Sequence, residues 1–135
     1  MSIDSWNPDT ASTVASYQIS QSLLRRFIEF SQQTDWSTLS NALTEQEIIQ
    51  HQAIMKQGKD AWFNAAADLD AEKIECLVRF FTVAEMQFSG WEAGADSPVI
   101  WLVKLLRRQN CAPNKELLLW IKNHSDNRFI PNGAL

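Results

Sequence analysis

The sequence predicts an all-α fold, a compact bundle of about five helices around a central buried helix at about 98–109. The chain has only four glycines and four prolines in 135 residues, too few for the many tight turns of an all-β protein. Seven of the eight residues at 99–106 are apolar, so a helix there has no face suited to water. Residues 74–88 repeat apolar side chains at helical spacing.

The first predicted helix lies near the N-terminus. Residues 1–8 are expected to form a mobile arm, followed by a single helical domain at 9–135. Asp9 or Thr10 can act as the N-cap, because a short polar side chain can accept from a free N–H of the first turn. We expect this helix to end near Gln33.

A capping box at Thr44 and Glu47 starts the second helix, because each side chain can accept a hydrogen bond from the other residue's backbone N–H. This helix is expected to reach about Gln57. Gly58 either breaks it or only weakens it, and Asp60 can cap a further turn or two.

Three more helices are predicted in the second half of the chain. Asp70 caps the first of them. Its apolar stripe consists of Ile74, Leu77, Val78, Phe81, Ala84 and Phe88. After a loop at 90–97, Ser97 and Pro98 start the buried helix, since Ser is a favoured N-cap and Pro fits the first helical position. A last helix is expected at about 113–124.

The composition favours a cytoplasmic domain that binds neither nucleic acid nor membranes. The net charge of −4 is opposite in sign to that of most nucleic-acid-binding proteins. No apolar run approaches the roughly 20 residues needed to cross a bilayer, and the first residues do not resemble a secretory signal. Cys76 and Cys111 lie in no motif, so we expect both to be reduced and buried. Tryptophans 62, 101 and 120 are expected in the core.

A candidate binding neighbourhood is predicted at one end of the bundle. Short connections make consecutive helices antiparallel, so the last helix should return the tail to the 90–97 loop. The candidate residues there are Trp91, Glu92, Asp96, His124, Arg128 and Phe129. Trp91 is either a lid over the bundle end, which we favour, or an exposed anchor for a partner. We expect it to contact residues 125–135, with Arg128 paired to Glu92 or Asp96.

A basic cluster on the buried helix is a second candidate surface. Lys104, Arg107 and Arg108 recur at helical spacing near its C-terminus. The favoured interpretation is an intramolecular ion pair with Glu75 on the preceding helix. The alternative is a docking site for an acidic partner.

Motifs for metals, cofactors and catalysis are missing from the sequence. Glu47 and His51 share a helix face, as two metal ligands would, but no second pair accompanies them, so a surface ion pair is favoured. There is no Gly-rich phosphate loop and no nucleophile motif. Glu92, Asp96 and His124 are the only carboxylate–imidazole group that the topology could bring together. We therefore expect no metal and no cofactor, and an enzyme is the least favoured class.

Two function classes remain ahead of an enzyme. The first is a non-catalytic protein-interaction or regulatory module that binds a protein partner or a second copy of itself as a homodimer, because the polar residues are scattered and no catalytic set converges. The alternative is a small-ligand-binding helical domain, with its site between the 90–97 loop and the C-terminal tail.

Overall fold

The computed structural model describes residues 17–32, 39 and 43–127. That part of the chain contains six α-helices, two 3₁₀ segments and no strand, which confirms the predicted all-α class. The α-helices are α1 Gln21–Ser31, α2 Glu45–Gln50, α3 Lys59–Ala66, α4 Ala71–Gln87, α5 Pro98–Arg108 and α6 Lys115–His124. The 3₁₀ segments are Gln52–Lys56 and Gly94–Asp96. Among these helices, none combines the length and the apolar character needed to cross a membrane.

Side-chain caps set the start of five of the described helices, and those at Thr44, Asp70 and Ser97 confirm the predicted caps. The side chains of Asp70, Ser97 and Asn114 accept hydrogen bonds from backbone N–H groups in the first turns of α4, α5 and α6. Before α2, the Glu47 N–H donates to the Thr44 hydroxyl at 3.1 Å, and the Thr44 N–H donates to the Glu47 carboxylate at 3.0 Å. Capping involves only a few adjacent residues, which is why the sequence reveals it.

Helix α1 starts later than predicted. It begins at Gln21 rather than at Asp9 or Thr10, because Ser20 is extended and its side chain accepts from the Leu23 N–H. Residues 17–20 are not helical. The proposed arm at 1–8 and the predicted start of the helix lie outside the described residues.

The second predicted helix is interrupted. Helix α2 stops at Gln50, and the chain continues as the 3₁₀ segment Gln52–Lys56 rather than as an α-helix to Gln57. Gly58 has a φ of 85°, in the left-handed region that favours glycine. The α-helix has thus already ended before Gly58, which occupies the N-cap position of α3, while Asp60 lies in the first turn of α3.

The core lies where α4 packs against α1, α5 and α6. Helix α5 also packs against α3 and is buried along most of its length, as predicted, although it shares the central position with α4. Trp62 is fully buried, as expected. Trp101 and Trp120 are only half-buried and pack against the edge of the core.

The two cysteines are unpaired and differ in exposure. Cys76 is buried on α4, as expected. Cys111 is exposed, contrary to expectation, because it lies in the surface turn between α5 and α6. In that turn Asn110 adopts a φ of 60° and the Cys111 Sγ contacts the Gln109 carbonyl oxygen at 3.4 Å.

Candidate functional site

The C-terminal segment returns to the loop that follows α4, as the topology predicts. Helices α4 and α6 run in the same direction, as two contacts show. Arg79 of α4 lies over the ring of Trp120 of α6. Further in the C-terminal direction from both residues, the Asp126 N–H lies 3.3 Å from the Met86 sulfur. The Asn127 amide then donates to the Gly94 carbonyl at 2.9 Å. The described start of the tail therefore meets the 90–97 loop.

Trp91 lies inside this end of the bundle. Its side chain is fully buried, with ring centroids 6.5 Å from Phe27, 6.4 Å from Phe81 and 5.0 Å from Phe88. Its indole N–H donates to the Ile48 carbonyl at 2.9 Å. Trp91 thus closes the bundle between α1, α2 and α4, and it is not an exposed anchor.

The other predicted residues of this neighbourhood are spread over its surface. Glu92 is exposed, and Asp96 is 3.8 Å from the Lys56 ammonium. His124 is exposed, stacks on Trp120 at 4.1 Å, and places its Nδ1 2.7 Å from the Trp120 carbonyl oxygen. No hydrogen bond or ion pair joins Glu92, Asp96 and His124 within the described residues. The candidates Arg128 and Phe129 lie outside that part of the chain.

Glu85 and Asn127 are polar residues at this end that are not among the predicted site residues. Glu85 is the buried one. Its side chain on α4 is only 4% exposed, and its Oε2 accepts from the Asn127 amide at 2.7 Å. Its Oε1 has no hydrogen-bond partner among the described residues. A signal was present in the sequence, because the spacing of Phe81, Glu85 and Phe88 places this acid on the apolar stripe of α4.

The environment of Glu85 explains how a carboxyl group is accommodated there. Burial raises the pKa of Glu85, and the Ser97 hydroxyl, the Asn127 amide and the Ala93 backbone N–H oppose part of that rise. Ser97 is the N-cap of α5, so the carboxyl group lies near the positive end of that helix dipole. Through Asn127, Glu85 therefore ties α4 to the C-terminal segment, close to the start of α5.

Replacing Glu85 with glutamine should stabilise the protein at neutral pH and have less effect at about pH 4. Burial raises the pKa of Glu85 in the folded state, so folding favours the protonated carboxyl group. The stability contributed by protonation is complete below the unfolded pKa of about 4.3. It is lost as pH rises through the folded pKa. Glutamine cannot ionise, and its oxygen can still accept from Asn127. Urea denaturation at both pH values measures the effect. The exposed Glu92→Gln variant is the matched control, and an E85Q effect that does not change with pH would contradict the prediction.

A cluster of titratable residues joins α1, α2 and the segment before α1. The Arg26 guanidinium is 3.0 Å from the Glu47 carboxylate. The hydrogen bond from Arg26 has the larger effect and the one from the Thr44 N–H the next, and together they lower the pKa of Glu47 to about 2. The predicted Glu47–His51 ion pair is thus replaced by Glu47–Arg26, because the fold brings α1 alongside α2.

His51 instead bonds to Tyr17. The Tyr17 hydroxyl is 2.9 Å from His51 Nδ1, and the two rings meet edge to face at 6.0 Å. Burial raises the pKa of Tyr17 to about 12 and lowers the pKa of His51. A neutral His51 can accept the Tyr17 proton in a hydrogen bond. This pair fastens the residues before α1 to the end of α2, and no nucleophile is bonded to it in the described part of the chain.

Helices α3 and α5 together carry a surface on which cations lie against aromatic rings. The Arg108 guanidinium is 5.0 Å from the centroid of Phe63, and the Lys59 ammonium is 5.8 Å from the same ring. The Lys104 ammonium is 5.6 Å from the centroid of Trp101. We call these five residues the basic–aromatic face.

The basic cluster predicted on α5 contributes to this face. The favoured ion pair with Glu75 does not form at Lys104 or Arg108, because neither side chain has an ion-pair partner in the described part of the chain. The two cations lie over rings supplied by α5 itself and by α3. The third member of the cluster, Arg107, is exposed near the end of α5.

The described residues contain no group of three or more His, Cys, Asp or Glu side chains placed to hold a metal ion. Comparison with protein-family models, with curated proteins and with solved structures found no match to this chain.

Proposed function

We propose that this protein is a non-catalytic protein-interaction module that binds an acidic segment of a partner protein on its basic–aromatic face. The observation that carries the proposal is the position of Lys59, Lys104 and Arg108 over aromatic rings with no carboxylate partner among the described residues. These cations remain available to carboxylates of another chain.

The geometry of the face suits an extended or helical partner segment. Trp101, Lys104 and Arg108 follow each other along one side of α5 at helical spacing, and Phe63 and Lys59 lie beside Arg108 on α3. Because the rings of Phe63 and Trp101 are half-buried, each leaves part of an apolar surface next to a positive charge. Aromatic and arginine side chains in this combination are typical of interface hot spots.

The charge distribution favours an acidic protein over nucleic acid as the partner. The chain as a whole has a net charge of −4, so the face is a local positive region on an acidic protein. A nucleic acid is longer than a short acidic peptide, so more of its phosphates would lie near the surrounding negative surface and be repelled by it.

The bundle end supports the alternative function less well. The space around Trp91 is filled by the rings of Phe27, Phe81 and Phe88, and the described start of the tail is bonded to Glu85 and Gly94. A small ligand there would have to displace packed aromatic side chains, which costs packing energy.

Replacing Lys104 and Arg108 together with glutamate should weaken binding of an acidic peptide by about tenfold or more, because charge-assisted contacts are lost and replaced by repulsion. The probe is a fluorescein-labelled peptide in which Asp and Glu alternate with Leu, and fluorescence anisotropy measures its affinity. Binding to the unmodified protein should weaken as salt is added.

The matched control is the double variant Lys115→Glu/Lys122→Glu, which changes the net charge equally on the exposed side of α6. Equal losses in both double variants would show that net charge alone drives binding, and would contradict the proposal. Stronger binding of a single-stranded oligonucleotide than of the peptide would instead favour a nucleic-acid partner. Sedimentation of the protein alone would reveal whether a second copy of the chain occupies the face.

A further inference from the structure

We propose that a groove along α1, distinct from the basic–aromatic face, is a binding site for a small carboxylate with a short aliphatic tail. The groove has a volume of about 270 Å³ and lies between α1 and the connection from α3 to α4. Its lining includes Leu24, Arg25, Ile28, Glu29, Leu69 and Lys73.

The floor of the groove is apolar. Leu24 and Ile28 are 1% and 5% exposed, and Leu69 is half-buried on the opposite wall. At the N-terminal end of α1, the Gln21 amide donates to the Ala65 carbonyl at 2.7 Å and so ties the two walls together. Because Leu24 and Ile28 leave almost no surface open to water, an aliphatic chain laid on this floor would mainly remove its own apolar surface and that of Leu69 from water.

The rim of the groove is positively charged on both sides. Arg25 on α1 and Lys73 in the first turn of α4 are exposed, and neither side chain has a hydrogen-bond or ion-pair partner in the part of the chain that the structure describes. Glu29 is the single carboxylate of the lining, so the two cations outnumber it. An anionic head group can therefore lie between Arg25 and Lys73 and away from Glu29.

The volume of the groove limits the length of the tail. The 270 Å³ lie just below the usual size of sites for drug-sized molecules, which begins at about 300 Å³. A straight-chain carboxylate of about eight carbons satisfies this limit, whereas a long-chain fatty acid exceeds it.

The test is a titration with octanoate, followed by NMR of the methyl groups of Leu24, Ile28 and Leu69. Acetate carries the charge without the tail, and 1-octanol carries the tail without the charge. We expect saturable octanoate binding with a Kd of about 1 mM or tighter, and binding of acetate and 1-octanol at least about tenfold weaker. The shifted methyl resonances should be those of the groove.

The variant Arg25→Gln/Lys73→Gln should weaken octanoate binding by about tenfold, since each exposed charge contact contributes up to about fivefold. The variant Lys115→Gln/Lys122→Gln, which removes two exposed charges from α6, should bind octanoate as the unmodified protein does. Equal affinity for octanoate and 1-octanol, an unaffected Arg25/Lys73 variant, or shifts confined to other methyl groups would each overturn the proposal.

Discussion

Replacing Trp91 with alanine should destabilise the protein by about 3–5 kcal/mol, the range found when a buried aromatic side chain is removed. Trp91 is fully buried between Phe27, Phe81 and Phe88, so truncation leaves a cavity that the surrounding rings cannot fill without leaving their own contacts. Urea denaturation followed by circular dichroism measures the change in the free energy of unfolding.

The conservative variant Trp91→Phe separates packing from hydrogen bonding. It keeps most of the ring contacts but leaves the Ile48 carbonyl without the indole N–H that now lies 2.9 Å away. An unsatisfied buried polar group costs about 1–3 kcal/mol, so this variant should be clearly more stable than Trp91→Ala. Equal stability of the two variants, or a loss below about 0.5 kcal/mol in Trp91→Ala, would show that Trp91 does not close the bundle.

Replacing Phe81 with alanine should also cost about 3–5 kcal/mol. Phe81 is fully buried on α4, and its ring centroid lies 5.6 Å from Phe27, 5.2 Å from Trp62 and 5.3 Å from Phe80. Edge-to-face pairs of this kind add to the free energy of apolar burial. The loss should be measured by the same denaturation experiment, with Leu102→Ala on α5 as a second core variant expected to cost about 2–5 kcal/mol.

The matched control for Phe81 is Phe63→Ala, which removes the same side chain from the basic–aromatic face. Phe63 is only half-buried, so its truncation should destabilise the fold much less than Phe81→Ala, while it should weaken binding of the acidic peptide. A larger loss of stability in Phe63→Ala than in Phe81→Ala would contradict the placement of Phe81 in the core and of Phe63 at the surface.

The aromatic core illustrates the limits of sequence-based prediction. The spacing of apolar residues on α4 correctly indicated that Phe81 is buried, because one helix face has a fixed period. Trp91 lies in a loop after a helix end, between a glycine and a glutamate, where side chains follow no regular spacing. The sequence therefore could not decide whether Trp91 is a buried lid or an exposed anchor. Only the packing of α1 and α2 around this loop decides that its indole ring is buried.

The candidate surfaces also combine features that helical spacing predicts with features that depend on contacts between separate helices. Helical spacing alone predicted the basic cluster on α5, but the ring of Phe63 that accompanies Arg108 comes from α3, distant in the sequence. Likewise, Glu85 was visible as an acid on an apolar stripe, whereas its bond to Asn127 depends on the parallel course of α4 and α6.

The sequence by itself determined the all-α class and the starts of α2, α4, α5 and α6, because capping and helical periodicity depend on residues within one or two turns of each other. The tertiary structure decided which polar groups are partnered. Arg26 bonds to Glu47 in place of His51, and Asn127 bonds to Glu85. These choices depend on how close separate helices lie and on how much water their packing excludes, and neither quantity is encoded in the spacing of neighbouring residues.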